Sequence, residues 1–218
     1  MKNPFRNLFC HCEHFHRKCA AIHGAADKDG LLRRKALRNG LWQCRRGVAA
    51  TEFAVALPFL LVLMLGGIEI SRYVIIHQKL EKVAYTIADV VSQSDTITTA
   101  QLNQAVIAAA TIMEPYDFSP DGVVFISSVY KSGSNAPTVR WQYSGGGALS
   151  ASSQIGAVGA VAAMPNGLVL NPSDNVIISE VFYRYQPFLT GGVFADDEDL
   201  YKVTIFKPRL GALTTPPA

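Results

Sequence analysis

Residues 53–68, FAVALPFLLVLMLGGI, run for sixteen positions without a charge, and no other feature restricts the fold of this 218-residue chain as tightly. As a helix rising 1.5 Å per residue the run is about 24 Å long, a little short of the ~30 Å hydrocarbon core of a bilayer. Extending it upstream through residues 48–51 takes in Glu52, and extending it downstream meets Glu69 and Arg72. A run of this length also suits a buried helix in a soluble protein. The surroundings favour a membrane span. Arg45 and Arg46 stand directly before it, and no comparable apolar segment elsewhere offers it a partner.

The charge distribution sets the orientation. Residues 1–46 hold 11 Lys and Arg against the three acids Glu13, Asp27 and Asp29, a net +8, while the remainder carries 9 against 14, a net −5. A basic head can mark a nucleic-acid binder, but here it abuts the apolar run. It reads as the retained, cytoplasmic side of a single-pass protein, and no nucleic-acid partner is expected. All four cysteines (Cys10, Cys12, Cys19, Cys44) lie in that head, so the exported part has none to pair. On the reducing side of a membrane they are expected to stay thiols. His11, His14 and His16 lie among them, yet the spacing fits no closed tetrahedral zinc pattern, and no metal or cofactor is assigned.

The helical pattern does not stop with the apolar run. Tyr73, Ile76, Leu80, Val83, Ile87 and Val90 recur at steps of three and four and define an apolar seam. One helix is therefore expected from Ala49 to Ser92, apolar all round at first and amphipathic later. Such a helix is an anchor continuous with a packing spine. A cleaved secretory signal fits less well, since the basic region is long and no small-x-small site follows Gly67. Pro58 removes one backbone donor inside this helix and clashes with the preceding turn, so a kink is expected there.

Downstream the patterning changes. Thr98 and Gln101 have capping-box spacing, and Leu102, Val106, Ala109 and Met113 mark one face of a short helix that should end at Glu114-Pro115. Strand-like runs follow at residues 123–130, 138–143, 176–185 and 200–206, separated by turn-rich stretches. Residues 144–159 are rich in Gly, Ala and Ser and read as a flexible loop. Helices first and strands later make the class α+β, with an antiparallel sheet laid on helical structure. The expected organisation is a basic leader (1–47), a transmembrane helix continuing as a spine (48–93) and a periplasmic domain (94–218).

Glu52 stands at the edge of the apolar run, where a carboxylate needs a partner; at the bilayer centre it costs about 2.5–3.5 kcal/mol. Were the chain cut after Gly47, the new amino group of Val48 would lie about one helical turn from Glu52. The same carboxylate could instead meet the Val48 amino group of a neighbouring copy. Residues 46–61, from Arg46-Gly47-Val48 through Glu52-Phe53 to Pro58-Phe59-Leu60-Leu61, resemble the start of the TadE-like pilus-assembly family, and residues 67–73 (Gly-Ile-Glu-Ile-Ser-Arg-Tyr) continue the likeness. Residues 183–188 and 206–209 are similar to the family's late strands. The resemblance implies a membrane-anchored pseudopilin or assembly factor of the tight-adherence, Flp-type pilus system, supporting surface adhesion and biofilm growth. It implies other pilus-assembly proteins and pseudopilins as partners, together with a prepilin peptidase acting at Gly47, Val48, Glu52 and Phe53. The location implied is the bacterial inner membrane. The leader is longer than that of small pilins, and some relatives remain uncleaved.

Chemistry is sparse elsewhere. His77 is the only histidine beyond the head, and no serine sits in a nucleophile-elbow pattern. No enzymatic activity is expected. Asp196, Asp197, Glu198 and Asp199 could gather calcium but lack the alternating spacing of an EF-hand loop, so a solvated acidic turn is the default. Trp141, Tyr143, Tyr183 and Tyr185 are expected in sheet packing. The competing functional reading is a single-span periplasmic sensor or scaffold with a cytoplasmic Cys/His head.

Overall fold

A 45-residue helix, α1 (Val48–Ser92), opens the computed structural model, which describes residues 48–188 and 197–218. The basic head and its cysteines lie outside the described residues. The chain divides into two units, Met1–Val62 and Leu63–Ala218. In the first, every described side chain from Ala50 to Val62 is exposed. Among the described residues α1 is the one helix long and apolar enough to cross a membrane.

The second unit is α+β. The later turns of α1 lead to α2 (Thr99–Ile112), then to strands β1 (Gly122–Tyr130), β2 (Thr138–Gly145), β3 (Asn175–Tyr185) and β4 (Glu198–Phe206). All pairings are antiparallel and the sheet order is β2-β1-β3-β4. Each expected strand is present, extended by one or two residues at one end. The capping box at α2 forms: Thr98 Oγ1 accepts from the Gln101 amide, and Gln101 Oε1 accepts from the Thr98 amide at 2.9 Å. At the other end of α2, Lys79 Nζ donates to the carbonyls of Ile112 and Glu114, both at 2.7 Å, placing a cation where the helix dipole is negative.

The expected seam on α1 buries Ile76, Leu80, Val83 and Ile87 against the sheet. Val90 departs from it and is 47 % exposed, while Val91 is fully buried. The stripe advances in steps of four (83, 87, 91) at this end of the helix, which turns Val90 off the contact. Val124, Ile126, Trp141, Ile177, Val181 and Tyr183 supply the sheet side of this core. Trp141, Tyr183 and Tyr185 are buried as expected, and Tyr143 packs at the margin with its hydroxyl donating to Asn103.

The sheet is buried on its other face as well. Val123, Phe125, Phe182 and Leu149 form one cluster there; Val129, Val139, Val176, Ile178, Ile155, Ala162 and Leu170 form another. Leu149, Ile155, Ala162 and Leu170 all come from the connection between β2 and β3. The stretch 144–159, expected as a flexible loop, is thus a cover packed on the sheet. Its start is pinned where the Ala148 amide donates to the Ser119 carbonyl at 2.8 Å and the Leu149 amide to the Gly122 carbonyl at 3.2 Å. Gly147 is required there, since a Cβ would collide with the Gly122 carbonyl.

Glu180, on β3, holds the cover. It is fully buried and accepts from the Ser153 hydroxyl, from the Gln154 amide at 2.8 Å and from the Tyr201 hydroxyl at 3.0 Å. A second polar knot fixes the C-terminal tail. Asn175 Nδ2 donates to Ser128 Oγ and to the Val129 carbonyl, both at 2.9 Å, while Asn175 Oδ1 accepts from the Leu213 amide at 2.8 Å. Trp141 Nε1 and Ser128 Oγ both donate to the Leu213 carbonyl, at 2.8 and 2.6 Å.

Candidate functional site

The residues singled out at the front of α1 divide between described and undescribed positions. Gly47 lies outside the described residues; Val48 is the first residue of the helix. Glu52 and Phe53 are exposed, Phe53 at 60 %. Pro58 lies inside the helix. Phe59, Leu60, Leu61 and Val62 present apolar surface in all directions, as a helix immersed in lipid does.

In the second unit the apolar surface continues through Leu63, Met64, Ile68 and Ile70, all exposed. The first carboxylate after it, Glu69, is tied to the end of the sheet where β3 finishes. Tyr185 Oη donates to Glu69 Oε1, and the Phe188 amide donates to both Glu69 oxygens at 3.2 Å. Arg72, one turn on, lies 3.8 Å from Glu69 and 5.9 Å above the centre of the Phe188 ring. Tyr73 packs edge-on against Tyr185 at 5.3 Å. Burial, with the hydrogen bond and charge of Glu69 adding to it, pushes the Tyr185 phenol well above the usual tyrosine range, so it remains a donor. In sequence Glu69 and Arg72 close the apolar run and fall in the 67–73 likeness, but nothing there points to Tyr185 and Phe188, which lie more than a hundred positions away.

Two described residues of the acidic turn, Glu198 and Asp199, pair with other elements. Asp196 lies outside the described residues, Asp199 pairs with Arg184 at 2.9 Å, and Glu198 accepts from Tyr73 Oη at 3.3 Å. The hydrogen bond and charge of Arg184 hold the Asp199 carboxyl below the usual range. Among the described residues no group of three or more His, Cys, Asp and Glu could hold a metal ion. His77 is half-buried, its ring edge-on to Tyr73 at 4.4 Å.

Residues 47–89 match the family model for TadE-like protein. The chain carries a TadE-like segment. That segment begins at Gly47 and takes in Glu52, the apolar stretch, Glu69, Arg72 and the core-facing residues through Ile87. The TadE-like match associates the chain with pilus assembly, and the apolar helix within it fits membrane anchoring. The late-strand likeness at 183–188 and 206–209 lies beyond the matched segment. No curated protein and no solved structure matches the chain.

Proposed function

We propose that this chain is a membrane-anchored minor pilin or assembly component of a tight-adherence pilus, non-enzymatic, with its head in the cytoplasm and its α+β unit in the periplasm. One observation carries the reading. The TadE-like match falls on a helix whose early turns are apolar on every side and whose later turns form the core of a folded unit. A helix of that kind anchors through one part and presents a domain through the other. Within this reading a prepilin peptidase cuts after Gly47, and the amino group of Val48 pairs with Glu52 of its own or a neighbouring helix. Each charge then neutralises the other where the surroundings are apolar.

Two measurements test it. The N-terminal residue of the protein recovered from membranes is expected to be Val48; Met1 or Lys2 would leave an uncleaved anchor. Glu52→Ala is expected to insert normally yet lower the number of surface pili, and full piliation of that variant would remove Glu52 from assembly.

A further inference from the structure

We infer that Phe188 and Arg72, held together by Glu69, form a lipid-seated collar that fixes the α+β unit against the membrane–water interface. The inference rests on the anchoring reading above.

The uncharged run ends at Ile68 after about 24 Å of helix, and a ~30 Å hydrocarbon core reaches about four residues further when it begins near Glu52. Glu69 to Arg72 therefore fall at the boundary. Ile68 and Ile70 are exposed on either side of Glu69, at 49 % and 67 %. Phe188 lies at the same height, because its amide hydrogen-bonds both oxygens of Glu69 and its ring lies beneath Arg72. It is 71 % exposed, which in water would leave most of a large aromatic ring in contact with solvent. Phe and aliphatic side chains of an interfacial surface bury into the headgroup–acyl boundary, and an Arg at the edge of an apolar stretch extends its guanidinium toward lipid phosphates. Glu69 can occupy this boundary because Tyr185, the Phe188 amide and Arg72 compensate its charge. The exposed ring, the cation above it and the exposed Ile68 and Ile70 that flank Glu69 match a lipid surface, and Ile68 and Ile70 continue the apolar surface of α1.

The test uses the full chain, reconstituted into phosphatidylcholine–phosphatidylglycerol vesicles with lipids brominated either near the headgroup or near the chain end. Phe188→Trp is made in a Trp42→Phe background, with buried Trp141 as the internal reference. Val169→Trp is the control. Val169 is 81 % exposed and precedes Leu170, whose carbonyl accepts from Lys131 just past the far end of β1. The expected result is loss of the added emission at 188 with shallow bromines, little loss with deep bromines, and none at 169. An unquenched signal at 188 in vesicles that carry the protein would overturn the collar and point to a protein partner for Phe188. Quenching strongest with deep bromines would also overturn it. Flotation of the same vesicles separates the two readings: protein that fails to float with lipid defeats the anchoring reading itself.

Discussion

Tyr201 on β4 donates its hydroxyl to Glu180 on β3 at 3.0 Å, and Glu180 is fully buried. A buried carboxylate is tolerated only when several donors surround it, and here a side chain and an amide of the β2–β3 connection complete the set. The arrangement converts a Gly/Ala/Ser-rich stretch into a fixed cover for the sheet.

Glu180→Ala should therefore cost about 3 kcal/mol, because it strands the donors of Ser153, Gln154 and Tyr201. Thermal unfolding of the detergent-solubilised chain gives the magnitude. Hydrogen exchange should show faster exchange at Gln154 and Ile155 than in the parent; unchanged exchange there would contradict the role of Glu180 as the clamp.

Alkaline pH should loosen the same region. Burial first, then the charge and hydrogen bond of Glu180, raise the Tyr201 pKa above its ordinary value. A tyrosine in the unfolded chain ionises near pH ~10, so stability from this group is intact below that pH. As pH rises further the unfolded state loses its proton first, and stability falls until the folded-state pKa is reached. Tyr201→Phe should flatten this decline between pH 10 and 11, as followed by unfolding midpoints.

The two parts of α1 should respond differently to truncation. Leu80→Ala removes a fully buried side chain from the main core and should cost about 3 kcal/mol. Leu60 is 55 % exposed, so Leu60→Ala should leave the unfolding midpoint of the α+β unit within experimental error. Equal losses from both substitutions would show that the apolar stretch packs inside the folded unit.

Asn175 ties the tail to the sheet. Asn175→Ala leaves the Leu213 amide without its acceptor and should cost about 2 kcal/mol. Limited proteolysis should then cut within residues 207–218 earlier than in the parent, and an unchanged cleavage pattern would count against the clasp.

Local order along this chain is written in short stretches of sequence. The capping box of α2 needs only Thr98 and Gln101, the span needs only an uninterrupted apolar run, and each strand declares itself through its own β-branched and aromatic residues. The start of the TadE-like segment, from Gly47 to Glu52, is legible for the same reason: its residues lie within two helical turns. Periodicity goes astray only where neighbours compete, as Val90 and Val91 do, since either can follow Ile87 at a helical step and only the position of the sheet selects one.

Tertiary structure decided what joins distant parts of the chain. Glu69 meets Tyr185 across 116 positions, Trp141 meets Leu213 across 72, and Glu180 gathers donors from the connection and from β4. No residue-scale pattern encodes these pairings, because they depend on strand order, on register and on the path of the β2–β3 connection over the sheet. The sequence alone thus determined an apolar helical stretch running into an amphipathic one and the kinds of element that follow it. The folded chain decided which polar groups are buried, what satisfies them, and that the first charge past the apolar run is held by the end of the sheet.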